Sequence, residues 1–176
     1  MQGIIKVILN LFSRKFLIKI SLILKPFFEL IFKGDRFVDP INNKSYSYFF
    51  PYGYNKLRKN ALSPGTLSLE RHRLLWIFLE KETDFFNTEN KILHIAPEQC
   101  FYKSFKKNFE SYITCDLNSP IAEIKADVCN LPFDENEFDF VLCNHVLEHV
   151  YDDERAMKEI YSCLLYTSDA ADDVEC

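Results

Sequence analysis

Residues 138–150, Phe-Asp-Phe-Val-Leu-Cys-Asn-His-Val-Leu-Glu-His-Val, decide how the chain is read. An apolar run ends at Asn144-His145 and passes directly into the start of a helix. In an open α/β sheet, the carboxyl end of a buried strand is where ligand chemistry is placed. Asp152, Asp153 and Glu154 follow, and acids suit the positive end of a helix.

Upstream, the same alternation of strand and helix recurs. Lys91-Ile-Leu-His-Ile-Ala96 reads as a short buried strand, Pro97 suits the first position of a helix, and Glu98 suits its positive end. Phe101, Phe105 and Phe109 then recur at helical spacing. Ser111–Leu117 is a second strand that ends in an acid. Asp116 lies 20 residues beyond Ala96, the separation at which a nucleotide fold places its ribose-binding carboxylate. A third element is expected around Glu123 to Val128, followed by Leu131-Pro132-Phe133. Taken alone, Asp116 and Asp127 each read as a surface loop acid; their order with the strand ending at Asn144 joins them into one pattern.

That pattern resembles the class I S-adenosylmethionine-dependent methyltransferases of the type 11 group, whose fourth-strand motif is similar to residues 138–150. The resemblance covers residues 91–162. It implies an α/β fold, a Rossmann-like and mostly parallel sheet with flanking helices. It also implies S-adenosyl-L-methionine as cofactor and an unidentified methyl acceptor as partner. Carried over residue by residue, the cofactor contacts are Ala96, Pro97, Glu98, Asp116, Leu117, Asp127, Val128, Asn144 and His145. Asp116 would hold the ribose diol and Asp127 the adenine amino group. His145 would face the methyl-transfer pocket. It is the one candidate for a general base, and a structural turn histidine is the equal alternative. Such transferases often need no obligatory catalytic side chain, and none is assigned.

The departure from the family is Ala96-Pro97-Glu98-Gln99, which stands where a glycine-rich turn is usual. Those glycines let backbone approach a pyrophosphate closely. S-adenosylmethionine has no phosphate, so the substitution counts against a dinucleotide more than against it. Glu98 is then a candidate partner for the cofactor ammonium.

Two rival readings follow from the same residues. His145-Val-Leu-Glu148-His149 also matches His-x-x-Glu-His, the inverted zinc-protease signature of a hydrolase. Zinc chemistry there needs both histidines on one helical face, whereas this motif begins at a strand end, so no metal is expected. The other rival is a Rossmann-like cofactor-binding protein without catalysis. Cys100, Cys115, Cys129 and Cys143 each fall singly inside an apolar element, which favours buried thiols over disulfides or a metal site.

Charge is divided unevenly: 13 basic and 4 acidic residues up to Arg73, then 8 basic and 22 acidic. Residues 1–33 form a basic amphipathic helical extension. Ile5, Leu9, Phe12, Phe16, Ile20, Ile23, Phe27 and Leu30 line one face, and Pro26 is expected to kink or split it. Basic residues interrupt every apolar run before the roughly 18 residues that a bilayer span requires. A cytoplasmic protein is expected, with peripheral contact at the inner membrane surface through residues 4–33, or with that face packed on the missing part of the domain.

Residues 34–90 read as an aromatic-rich linker and a capping helix. Asn42-Asn43 can turn a hairpin between Arg36–Val38 and Ser45–Phe50. The aromatic residues beside Lys56, Arg58 and Lys59 favour packing over base stacking, so nucleic acid is not favoured as a partner. Ser68 suits an N-cap, and Arg71, His72 and Arg73 read mainly as solvated charge. Residues 163–176 stand apart. The run Cys163 to Asp173 resembles the translation of a transposase adapter used in sequencing libraries, and it is set aside as a non-native tail. On that reading the domain is incomplete at its C-terminus, and the fragment is expected to be inactive with one sheet edge exposed.

Overall fold

Ile92–Ile95 (β5) is buried at all four positions, as a strand covered on both faces must be. The computed structural model describes residues 14–53 and 56–165. β5 pairs in parallel with Tyr112–Cys115 (β6) on one side and Phe140–Cys143 (β7) on the other, so Ile95 lies beside both Cys115 and Cys143. The third element expected from the sequence is reduced to a single parallel bridge, Ile124 to Cys115. Past Ile124 the segment leaves the sheet: Ala126 and Val128 are buried in the core, and Asp127 turns back to pair with Asn130. Ile124 still extends the sheet, giving the order Ile124, β6, β5, β7, which is third, second, first, fourth in chain order. The first, second and fourth of the expected strands are thus observed, each trimmed at its ends, and the third is not.

This sheet belongs to the second of two compact units, Met1–Lys81 and Glu82–Cys176. Alternation along β5 sends Ile92 and His94 to one face and Leu93 and Ile95 to the other. On the first face, Phe85 is fully buried, its ring 5.2 Å from those of Phe86, Phe105, Phe109 and Phe140. Phe101 and Phe105 reach that cluster from Gln99–Asn108 (α3), which buries them at helical spacing. On the second face, Leu93 and Ile95 pack with Ala126, Val128, Leu131, Phe138, Ala156 and Cys163. Ala156 and Cys163 come from Asp153–Cys163 (α4).

Both helix starts differ from the sequence-based expectation. Pro97 was expected at the first helical position, but α3 begins two residues later with Glu98 as an extended N-cap. Ala96 has a positive φ of 52°, so the chain needs Pro97 and Glu98 to complete the turn from strand to helix. A helix was also expected from Glu148-His149. Instead Leu147–His149 is a short 3-10 turn, and α4 begins after Asp152, whose Oδ1 accepts from the Arg155 N–H at 3.0 Å. Val146, Leu147 and Val150 pack against the core, which holds this stretch in its own turn.

Cys163 is buried, and the chain on either side of Leu164 bonds back to the start of the β7 segment: Phe138 N–H donates to Cys163 O at 2.9 Å and Leu165 N–H to Phe138 O at 2.8 Å. Residues 166–176 of the suspected tail lie outside the described residues. All five described cysteines are free. Cys129 and Cys143 depart from expectation, since each is only half-buried; Cys129 sits in a turn after Val128 and Cys143 ends β7.

In the first unit, Arg14–Ile31 (α1) runs through Pro26 without splitting, which removes one of the two outcomes expected there; proline removes a single donor, and the helix continues past it. Residues 4–13 of the expected extension lie outside the described residues. Lys33–Asp39 (β1) and Lys44–Tyr46 (β2) form the hairpin read at Asn42-Asn43, with Asn43 at φ 52°. Phe50–Tyr52 (β3) pairs with Arg58–Leu62 (β4), and Glu70–Glu82 (α2) follows.

A buried polar clasp joins the first hairpin to the loop before α2. Asp39 is fully buried; its Oδ1 accepts from Ile41 N–H at 3.1 Å and its Oδ2 from the Thr66 hydroxyl. Ser68 Oγ lies 2.7 Å from Thr66 Oγ1, and Arg73 Nη1 donates to Ser68 O at 2.7 Å. Ser68 is therefore not the helix N-cap, because its hydroxyl is engaged in the clasp; the Leu69 carbonyl accepts the first helical bonds. Of the three basic residues read as solvated, only Arg71 is exposed. His72 is buried, and Arg73 crosses to Ala61 O at 3.1 Å and lies over the Phe49 ring at 4.7 Å. Replacing Asp39 with Ala is expected to destabilise this unit by roughly 2–3 kcal/mol, because Thr66 and Ile41 lose a buried acceptor. Urea unfolding measures it, and a loss below about 0.5 kcal/mol contradicts the role of the clasp.

Candidate functional site

The carboxyl ends of β5, β6 and β7 open on one side of the sheet into a cavity of about 450 Å³. Its wall holds Ile95, Ala96, Asp116, Leu117, Ala126, Asp127, Val128, Cys129, His145, Val146, His149, Val150, Tyr151 and Asp152. Six of the residues singled out from the sequence meet here: Ala96, Asp116, Leu117, Asp127, Val128 and His145. Pro97, Glu98 and Asn144 do not line it. Of the other lining residues, His149 was singled out only in the zinc reading and Tyr151 not at all. Both follow closely on the strand-end turn, and that adjacency was the available signal.

Backbone geometry positions these groups. Ala96 and His145 both adopt the left-handed conformation, with φ of 52° and 56°, just past the ends of β5 and β7. Non-glycine residues there carry strain and concentrate at functional sites. Ala96 thus takes a glycine-like backbone at the place where a glycine-rich turn was missing. Asp116 follows β6 directly, and its Oδ1 accepts the N–H groups of Asn118, at 2.6 Å, and Ser119, which orients the carboxylate. Among the described residues its Oδ2 carries no such bond. Asp127 Oδ1 accepts from Cys129 N–H at 2.9 Å, and the turn closes with Asn130 N–H on Asp127 O. Leu117 is half exposed at the rim.

His145 Nδ1 lies 3.1 Å from Glu148 Oε1, both side chains exposed. The backbone N–H of Glu148, and after it His145, hold the Glu148 carboxyl below the ordinary range. His145 sits in the turn and His149 ends the 3-10 turn, so the two imidazoles do not share a helical face. Among the described residues, no group of three His, Cys, Asp or Glu side chains is arranged to hold a metal ion. Burial, then Glu148 and Glu98, pushes the Cys143 thiol up to about 11, so it is a neutral thiol at pH 7 rather than a nucleophile.

A buried relay, unread in the sequence, holds Glu98. His94 is fully buried; its Nδ1 is 2.8 Å from the Tyr112 hydroxyl and its Nε2 is 2.6 Å from Glu98 Oε2. Burial, and then the Glu98 charge, raises the Tyr112 pKa, which keeps that hydroxyl a donor. The Tyr112 hydroxyl and the Glu98 carboxyl group thus engage the two ring nitrogens of His94, one on each side. The carboxylate is fixed close enough to the end of β7 to act on Cys143. Near the same strand ends, the Asn144 and Gln99 side-chain NH₂ groups are buried with no hydrogen-bond acceptor among the described residues.

A parallel sheet in this strand order, with its crevice at the carboxyl ends, defines a Rossmann-like α/β domain. Residues 89–165 match the family model described as a methyltransferase domain. No curated protein matches the chain. Among solved structures it is similar to the YcgJ protein of Bacillus subtilis, at 20% identity, with a TM-score of 0.45, over 54% of this chain and 47% of that one. The chain thus spans about half the length of that protein.

Proposed function

We propose that the unit containing residues 89–165 binds S-adenosylmethionine and transfers its methyl group to an acceptor of unidentified class. The observation that carries this reading is the meeting of Asp116, Asp127 and His145 in one cavity wall, each at the carboxyl end of a successive sheet element. The fit is also chemical. A cavity of about 450 Å³ lies in the range for small-molecule sites. Its acids are acceptors suited to a ribose diol and an adenine amino group, and Asn144 supplies an unpartnered donor close by.

S-adenosylmethionine supplies a methyl group already activated on a sulfonium. The chain's own work is to bind, align and desolvate. Asp116 presents Oδ2 to the ribose while its Oδ1 is tied down by the turn. Asp127 is held toward the adenine side by Cys129 N–H. Glu98 lies off the cavity wall; fixed by His94 near the end of β7, it offers its charge to an ammonium that extends past the wall toward that strand end. His145 is exposed in the turn and within reach of Glu148, where it can take a proton from an acceptor nucleophile. Alignment and exclusion of water supply the rest of the rate.

Calorimetric titration with S-adenosylhomocysteine and with NAD tests the reading. Saturable binding of the first, and none of the second, supports it; the reverse order contradicts it. Glu98→Gln is expected to weaken S-adenosylmethionine binding by about fivefold to tenfold, through loss of a charged partner, while leaving adenosine binding unchanged. Equal affinity of Glu98→Gln and wild type for S-adenosylmethionine removes Glu98 from the site.

A further inference from the structure

α1 carries an apolar stripe that its own unit leaves open. Ile20, Ile23, Leu24, Phe27, Leu30 and Ile31 recur at spacings of three and four, and Ile23, Phe27 and Leu30 are 73%, 60% and 74% exposed. The helix is anchored along a different flank. Phe28 and Phe32 meet the Phe50 ring edge-on at 5.4 and 4.9 Å, and Ser47 N–H donates to Phe32 O at 2.8 Å. The stripe is therefore presented outward by a helix fixed to the β3 segment, and exposed patches of this kind mark interaction sites.

Charge selects the partner. Residues 14–33 carry five basic side chains and one acid, Glu29, in a chain whose net charge is −5. Glu29 is itself paired, with Lys44 at 2.5 Å and Lys25 at 4.0 Å. A positive excess along the same stretch of sequence suits anionic headgroups, as the apolar stripe suits acyl chains. No helix among the described residues is long and apolar enough to cross a membrane. We propose that α1 docks in the plane of an anionic lipid surface, with the Ile23, Phe27 and Leu30 stripe buried at the boundary of headgroups and acyl chains.

The test is sedimentation of the full chain with phosphatidylcholine vesicles, with and without phosphatidylglycerol, for wild type and Phe27→Ser/Leu30→Ser. The double variant keeps the charge and changes only exposed positions, and its circular dichroism should match wild type. Binding to the anionic vesicles is expected to be at least about tenfold tighter than to pure phosphatidylcholine and to weaken as salt rises. The double variant should bind those vesicles about tenfold or more weakly. Failure of the wild type to bind anionic vesicles overturns the proposal, as does unchanged binding of the variant. Loss of self-association in the variant, with no vesicle binding by wild type, overturns it in favour of a second copy.

Discussion

Replacing His94 with Ala is expected to cost roughly 3–5 kcal/mol of stability in the second unit, the largest single effect foreseen for this chain. Two losses combine. The imidazole is fully buried among Phe101, Phe105 and Tyr112, so its removal leaves a cavity in a packed aromatic layer. It is also the partner of both the Tyr112 hydroxyl and the Glu98 carboxylate, and the variant leaves both without it. His94→Gln restores one donor and should recover part of the loss. Urea unfolding monitored by fluorescence measures both. A cost below about 1 kcal/mol for His94→Ala would show that the relay is not a stabilising element.

The second large effect is on binding. Asp116→Ala is expected to weaken S-adenosylmethionine binding by about tenfold to a hundredfold, the equivalent of roughly 1–3 kcal/mol for a lost charged acceptor. Asp116 also holds its own turn through Asn118 and Ser119, so a control is needed. Asp116→Asn keeps an oxygen for those two bonds and removes the charge. If both variants lose affinity alike, the carboxylate acts on the ligand; if only the Ala variant does, it acts on the turn. Unchanged affinity in both removes Asp116 from the site.

These positions differ in how far they could be read without coordinates. Asp116 and His145 could be placed together because each follows an apolar run, and a parallel sheet gathers such ends on one side; Asp127 was placed with them only through the family resemblance. Glu98 was legible as an acid near a helix start but not in its engagement, since His94 lay hidden inside an apolar strand. A histidine in such a strand reads as core, and nothing local announces that Tyr112, 18 residues away, will meet it. The clasp at Asp39 failed for the same reason, with Thr66 lying 27 residues beyond it. Local rules also misplaced the helix starts. Ser68 and Pro97 satisfy positional preferences, yet the Ser68 hydroxyl is taken by the clasp and Pro97 is used to finish a strained turn at Ala96. The hairpin at Asn42-Asn43 was readable because an asparagine tolerates the positive φ that the turn demands.

The most direct measurement is a ¹H–¹⁵N correlation spectrum of the chain titrated with S-adenosylhomocysteine. The account predicts that amides of Asp116 to Ser119, Asp127 to Cys129 and His145 to Val150 shift together along one saturation curve, with those of the first unit unmoved. Unmoved cavity amides at millimolar ligand, or shifts scattered over both units, would contradict it.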